Sequence, residues 1–508
     1  MQRRKFLGHG GALAVALVAT LAPEQVRPAT TASASTTAFG GSFVRDLARD
    51  LATRPYQPPD RSLPGSFAHL TYDQYRGIRF DPAHALWRGM GLPFEVQFLH
   101  RGFLFEDRVD LFEVADGHAS PIRYSPDMFV FGKTPRPTDD MGFSGFRIHA
   151  PINRPDYFDE VCVFQGASYF RAVAKGQNYG LSSRGLAIKT GDAGGEEFPV
   201  FKSFWLERPT PGTNAVVVQA LLDSPSTSGA FRFTIRPGSE TIFDVEMSLY
   251  PRNDIEHAGL AALTSMFFFD SNNRAGYDDY RRAIHDSDGL AMWTGRGEQL
   301  WRPLNNPARL QMSSFVDPGS RGFGLMQRKR QFDDYEDLEA HYEKRPSLWV
   351  EPIGATGEGA VQLVEIPTPI ETNDNIVAFW TPKQPIKAKT EFAFTYRLHW
   401  CDDIPIHSDL ARVTDTACGI ALDGSRLFVI DVVGDNLKAL AKDISPQVQV
   451  TANPGAIRNA VAEANPQTGG WRMSFELVPG DATLVELRAQ LMDAEAPLSE
   501  VWIYRWTH

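Results

Sequence analysis

Cysteine is scarce in this chain: three residues, Cys162, Cys401 and Cys418, in 508. A disulfide-stapled scaffold is excluded, one bridge at most is open in an oxidising compartment, and isolated buried thiols are the default. No Cys/His spacing suits zinc, so neither a metal nor a cofactor is expected. A Gly-x-Ser-x-Gly elbow and a phosphate loop are both missing, which sets aside serine hydrolase and nucleotide chemistry. After the first few dozen residues no stretch approaches the ~18 uninterrupted apolar residues of a membrane helix, so no stable membrane insertion is expected. Positive charge is in deficit: 51 Lys and Arg stand against 62 Asp and Glu, a net charge of −11. Nucleic acid and anionic membrane surfaces are therefore not expected as partners, whereas a neutral polymer is indifferent to that sign.

Helical periodicity is also rare. Short helices are expected at 42–52, where Phe43, Val44, Leu47 and Leu51 recur at helical spacing, and at 71–76. Two more are expected at 334–344 and 456–464. Otherwise strand patterning dominates. Residues 94–98, 231–235, 242–249 and 392–400 alternate, with Phe243, Val245, Met247 and Leu249 on one face and Asp244, Glu246 and Ser248 on the other. Such alternation means antiparallel sheet with one buried face. The apolar run 215–222 fits a central strand. The expected class is all-β, a large sandwich of packed sheets. A polar, Pro-containing linker at 401–410 is followed by strands at 427–433, 446–451, 471–477, 482–489 and 500–506. That number suits an immunoglobulin-like sandwich over 411–508.

The N-terminus is an address. Arg3-Arg4-Lys5-Phe6-Leu7 precedes a mild apolar run from Gly10 to Leu21 and a small-x-small site at Ala32-Ser33-Ala34. This is the pattern of a twin-arginine signal over residues 1–34, and it implies periplasmic delivery of a folded protein.

Function concentrates between Arg281 and Trp380, where aromatic rings, arginines and carboxylates recur. Aromatic faces stack on sugar rings, and charged side chains hydrogen-bond hydroxyls. Two carboxyl groups across a cleft are the minimum equipment of a glycosidase. Asp374, flanked by Asn373 and Asn375 before an apolar run, and the pair Asp286 and Asp288 are candidates. On residue type alone each is as well explained as a turn aspartate. Asp-x-Asp-Gly at 286–289 is a fragment of a calcium loop, but the remaining ligands are missing. Trp301, Arg302, Arg345, Trp349 and Trp380 are candidate substrate-binding residues, although tryptophan in a large sandwich is more often core. Tyr342 and His285 complete the set, His285 as a neighbour of Asp286 rather than a ligand.

Several motifs carry a family resemblance. They include Tyr72-Asp73-Gln74-Tyr75-Arg76, Gly166-Ala167-Ser168-Tyr169-Phe170-Arg171-Ala172, Leu263-Thr264-Ser265-Met266-Phe267 and His285-Asp286-Ser287-Asp288-Gly289-Leu290. Others are Arg345-Pro346-Ser347-Leu348-Trp349-Val350-Glu351-Pro352 and Asp374-Asn375-Ile376-Val377-Ala378-Phe379-Trp380. Over residues 42–400 the chain resembles the periplasmic glucans biosynthesis protein G/D family, and the leader points to the D branch. The resemblance implies a galactose-mutarotase-like β-sandwich at 42–400 followed by an immunoglobulin-like domain. It implies inverting endo-hydrolysis, or transglycosylation, of linear β-1,2-glucan during synthesis of osmoregulated periplasmic glucans. Asp374 matches the family's general acid and Asp286 its base. The base acts through water and a substrate hydroxyl, with Tyr342 in the relay and Asp288 in support. A homodimer and a functional link to a membrane glucan synthase are further implications. The rival expectation is a non-catalytic glucan-binding protein that shapes the nascent polymer, since a fold does not decide function.

Overall fold

Strand Thr241–Pro251 shows how the patterning becomes a sheet. Phe243, Val245, Met247 and Leu249 are buried, while Asp244 and Glu246 on the other face accept from Arg397 (2.6 Å) and Arg232 (3.0 Å). Antiparallel neighbours Thr227–Arg236 and Phe392–Cys401 extend the same alternation, with Phe243 opposite Leu398 and Val245 opposite Tyr396. In this computed structural model, which describes residues 36–440 and 444–508, that ladder lies within a sheet of sixteen strands. A second sheet of ten strands runs from Gln311–Asp317 through Gly359–Glu365, Ile376–Pro382 and Ala258–Ser265 to Glu95–His100. The expected all-β class is what is found. The leader falls outside the described residues.

The two sheets meet through phenylalanine. Phe164 and Phe170 from the ten-stranded sheet reach Phe233 at 5.3 and 5.2 Å, and Phe170 stacks on Phe243 at 5.8 Å. This is a sandwich core, built from the inward faces of two alternating sheets. Helix Phe43–Ala52 lies outside it, burying Val44 and Ala48 against Trp205 and Tyr250.

After residue 411 the chain builds a four-stranded sheet and also continues the large one. Arg412–Ile420, Arg426–Val433, Gly470–Val478 and Ala456–Asn465 form the four-stranded sheet. Gln447–Asn453, Leu484–Asp493 and Val501–Thr507 extend the sixteen-stranded sheet, joined by the parallel pairs Leu300–Val501 and Trp301–Trp502. Between these layers Phe428 stacks on Phe475 at 5.3 Å and Trp502 on Tyr504 at 5.4 Å.

Two helical expectations fail. Residues 456–464 form an edge strand with a bulge between Arg458 and Val461, where Asn459 takes a φ of 50°. The bulge shifts the alternation, so Ile457 and Val461 fall four apart and imitate a helix. Residues 334–344 make only the short 3₁₀ turns Phe332–Asp334 and Tyr342–Lys344. Glu336 and His341 between them adopt φ of 57° and 46°, a conformation that a right-handed helix cannot continue through. The three cysteines are free thiols.

Candidate active site

Three consecutive residues, Ser265-Met266-Phe267, hold two loops that are far apart in sequence. They lie where strand Ala258–Ser265 ends and the short strand Phe267–Phe269 begins. From one side the Asn375 amide N–H donates to the Ser265 carbonyl at 3.0 Å. The Asn375 side chain accepts from the Phe267 N–H at 2.8 Å and donates to the Phe267 and Ile366 carbonyls, both at 3.0 Å. From the other side the Asp286 N–H donates to the Met266 carbonyl at 2.8 Å, and the Ser287 and Ser265 hydroxyls meet at 2.8 Å. Asp374 thus enters the ten-stranded sheet at strand Ile376–Pro382, and Asp286 enters the sixteen-stranded sheet just before Gly289–Trp293. The two carboxyl groups are set where the layers join, by backbone bonds that do not depend on the acids themselves.

Each acid has its own arginine. Asp374 accepts from Arg171 Nη2 at 3.3 Å, and Arg171 Nε donates to Ser182 Oγ at 2.6 Å. Burial pushes the Asp374 carboxyl up to about 6; Arg171 opposes the shift and the Asp286 charge adds to it. The two acids therefore share one electrostatic field, a recurring arrangement in acid–base sites. Asp286 is buried and takes a hydrogen bond from Arg345 Nη1. Proline at 346 keeps Arg345 extended, at φ −78° and ψ 139°, so the side chain leaves the turn toward Asp286. Its guanidinium also lies 4.2 Å from the Tyr342 ring centre.

The buried Tyr342 hydroxyl has no hydrogen-bond partner among the described residues, and burial drives its pKa up. Arg345, Glu371 and Asp286 are its charged neighbours. Glu371 pairs with Arg281 at 2.8 Å, and burial raises its pKa against the pull of that arginine. Asp288 turns away: its Oδ2 accepts from the Arg328 N–H at 3.0 Å, and burial raises its pKa. His285 is fully buried, stacked on Phe267 at 5.5 Å with Nδ1 2.8 Å from Gln327 Oε1. Beside the acid, Arg184 is sandwiched between Tyr169 and the partly exposed Phe198, at 4.8 and 5.8 Å.

The periplasmic glucan biosynthesis protein family, MdoG, matches residues 39–506. The chain belongs to this family. Glucans biosynthesis protein G of Bradyrhizobium diazoefficiens is 58% identical, covering 100% of both chains. The protein of the same name from Vibrio cholerae is 52% identical over 93% of this chain and 88% of its own. Both relatives carry the G designation, so the D-branch expectation, which rested on the leader, gains no support from them. Among solved structures, a galactose mutarotase related enzyme from Lactobacillus acidophilus aligns with 48% of this chain and 99% of its own, at 8% identity and a TM-score of 0.21.

Of the residues that the sequence singled out, Asp374, Asp286, Arg345 and Tyr342 come together in this family member. Trp301, Arg302, Trp349 and Trp380 do not join that group and lie buried elsewhere. Trp301 and Trp349 are 3% and 1% exposed and pack with Trp502 and Phe428 in the C-terminal core. Trp380 is 1% exposed in the main core, and Arg302 is buried against Glu365 at 3.0 Å. These side chains fill space between sheets, the usual fate of large aromatics in a sandwich. Trp301 also explains Gly289: a Cβ there would lie 2.1 Å from the indole, so glycine is needed for close packing rather than for a turn.

Sequence reasoning missed Arg171, Arg184, Asn375, Gln327 and Glu371 as site residues. Arg171 and Asn375 stand inside the motifs that carried the resemblance. Nothing local marks them, because the contacts that tie them to the acids, Arg171 to Asp374 and Asn375 to Phe267 among them, join residues more than a hundred positions apart.

Proposed function

We propose that this protein hydrolyses linear β-1,2-glucan in the periplasm, as a step in osmoregulated periplasmic glucan biosynthesis. The family supplies the glucan and the compartment. The observation that carries the chemistry is Asp374, a carboxyl raised to about 6 by burial within the field of a second, arginine-paired carboxylate, Asp286. A carboxyl so placed holds a proton under mildly acidic conditions and can deliver it to a glycosidic oxygen. Asp286 acts as base on a water at the opposite face of the sugar, giving inversion. Tyr342, whose hydroxyl lies near Asp286 without a partner among the described residues, relays the proton through a substrate hydroxyl. Asp286 is favoured over Asp288 because its charge is felt at Asp374, whereas Asp288 is engaged by the Arg328 backbone.

The test is incubation of purified protein with linear β-1,2-glucan, reading reducing ends by assay and their anomeric form by optical rotation. Net reducing ends of inverted configuration are expected. Longer chains without new reducing ends would identify a transglycosylase, and an unchanged polymer that still binds would identify a scaffold. The leader would deliver the folded chain by the twin-arginine route, and lysines at Arg3 and Arg4 should leave it in the cytoplasm. Periplasmic accumulation of that variant would reject the route.

A further inference from the structure

Four consecutive residues, Gln327-Arg328-Lys329-Arg330, follow strand Gly322–Met326, and each makes a different long-range connection. Gln327 holds the loop that carries Asp286. Its Oε1 meets His285 Nδ1 at 2.8 Å, and its Nε2 donates to the carbonyls of His285 at 3.0 Å and Tyr342 at 3.2 Å. Arg328 faces two ways. Its backbone N–H donates to Asp288 at 3.0 Å, while its guanidinium donates to the Val413 carbonyl at 2.7 Å and to Glu500 at 3.1 Å. That guanidinium lies 3.6 Å from the centre of the Trp301 ring.

Lys329 joins Asp270 (2.6 and 2.7 Å) to Asp415 (2.8 Å). Asp270 in turn stands 3.5 Å from His285 Nε2, next to Asp286 in sequence. Arg330 donates to the carbonyls of Arg345 and, at 2.9 Å, of Asp402. The inner ends of these contacts are His285, Asp288, Tyr342 and Arg345. The outer ends are Asp402, Val413, Asp415 and Glu500, all in the chain after the main sandwich. The Gln327 bonds are buried, and those of Arg328, Lys329 and Arg330 are charge-assisted, the stronger class of hydrogen bond.

We infer that residues 327–330 are positioning residues through which the C-terminal β-region sets the seat of the Asp286–Arg345 pair. The C-terminal region then serves the reaction without touching substrate. The inference rests on the catalytic reading for its effect on turnover, but not for its effect on the loop itself.

Three variants of the full-length protein test it. Asp415→Asn removes the charge of the outer anchor at a partly exposed site, Lys329→Met removes the link, and Lys329→Arg keeps the charge. Amide hydrogen exchange over 284–289 should quicken about tenfold in Asp415→Asn and more in Lys329→Met, with strand Thr241–Pro251 unchanged. Turnover on β-1,2-glucan should fall about fivefold and about 10²-fold respectively, with KM within about twofold, and Lys329→Arg should recover most of it. Unchanged exchange at 284–289 in Asp415→Asn overturns the inference even if Lys329→Met fails to fold. So does a loss of turnover that appears entirely in KM. Wild type that releases no reducing ends would sink the catalytic reading instead, and the exchange result alone would then decide the positioning role.

Discussion

Asp374→Asn is expected to lower turnover on linear β-1,2-glucan by about 10²-fold or more, the scale of a lost general acid. Asparagine keeps the size and can still accept from Arg171, but it has no acidic proton to give. Affinity for a long glucan should stay within about tenfold, because contacts elsewhere persist. The wild-type rate should fall as pH rises through about 6, where Asp374 loses its proton, and the residual rate of Asp374→Asn should lack that limb. Stability supplies an independent check. The folded carboxyl holds its proton to about 6, against an ordinary value of 3.8, so between those values the native state binds more protons than the unfolded one. Its contribution is fully present below 3.8 and is lost as pH rises through about 6. Asp374→Asn should therefore be no less stable than wild type at pH above about 7, as judged by urea denaturation. Hydrolysis that survives in well-folded Asp374→Asn would remove this residue from the acid role.

Arg345→Met is expected to cost about 3–5 kcal/mol of stability, the usual result of stranding one half of a buried pair. Arg345 and Asp286 are 8% and 5% exposed, so water cannot replace the guanidinium at the carboxylate. The same change frees the Tyr342 ring of its cation and should lower turnover by about 10²-fold, since the base loses the group that aims it. Adding Asp286→Asn to Arg345→Met should restore most of the stability and none of the activity, because no buried charge is left unpaired. Equilibrium unfolding of both variants decides the matter. A loss below about 1 kcal/mol in Arg345→Met would mean that Asp286 finds other compensation and that the pair is not what seats it.

The candidate residues were named from the sequence for unequal reasons. Asp374 and Asp286 stood out because whole motifs around them matched a family, not because of anything intrinsic to Asp before a strand or in a turn. Arg345 opens one of the same matched motifs. The tryptophans were ambiguous because ring size and apolar character serve a sugar platform and a sandwich core equally well. Only burial separates the two, and Trp301, Trp349 and Trp380 are all at or below 3% exposed. Arg302 was ambiguous for a related reason: its partner Glu365 is 63 positions away, so nothing nearby announces a buried ion pair. Residues 456–464 imitate a helix because the bulge in strand Ala456–Asn465 displaces the apolar residues from alternation.

The sequence by itself determined what depends on neighbours along the chain. Period-two alternation produced the all-β class and placed some strands, Thr241–Pro251 and Phe392–Cys401 among them, within a residue or two, because side chains on a pleated strand must point to alternate faces. The proline after Arg345 and the bulk of Trp301 over Gly289 are likewise written locally, once strands pair. Tertiary structure alone decided which strands neighbour which, and so which charges meet. The loops at 284–288 and 374–375 are nearly a hundred residues apart, and their common docking on Ser265-Met266-Phe267 brings Asp286 into the field of Asp374. The raised pKa of Asp374 follows from that docking, since desolvation is a property of the folded surroundings and not of the residue.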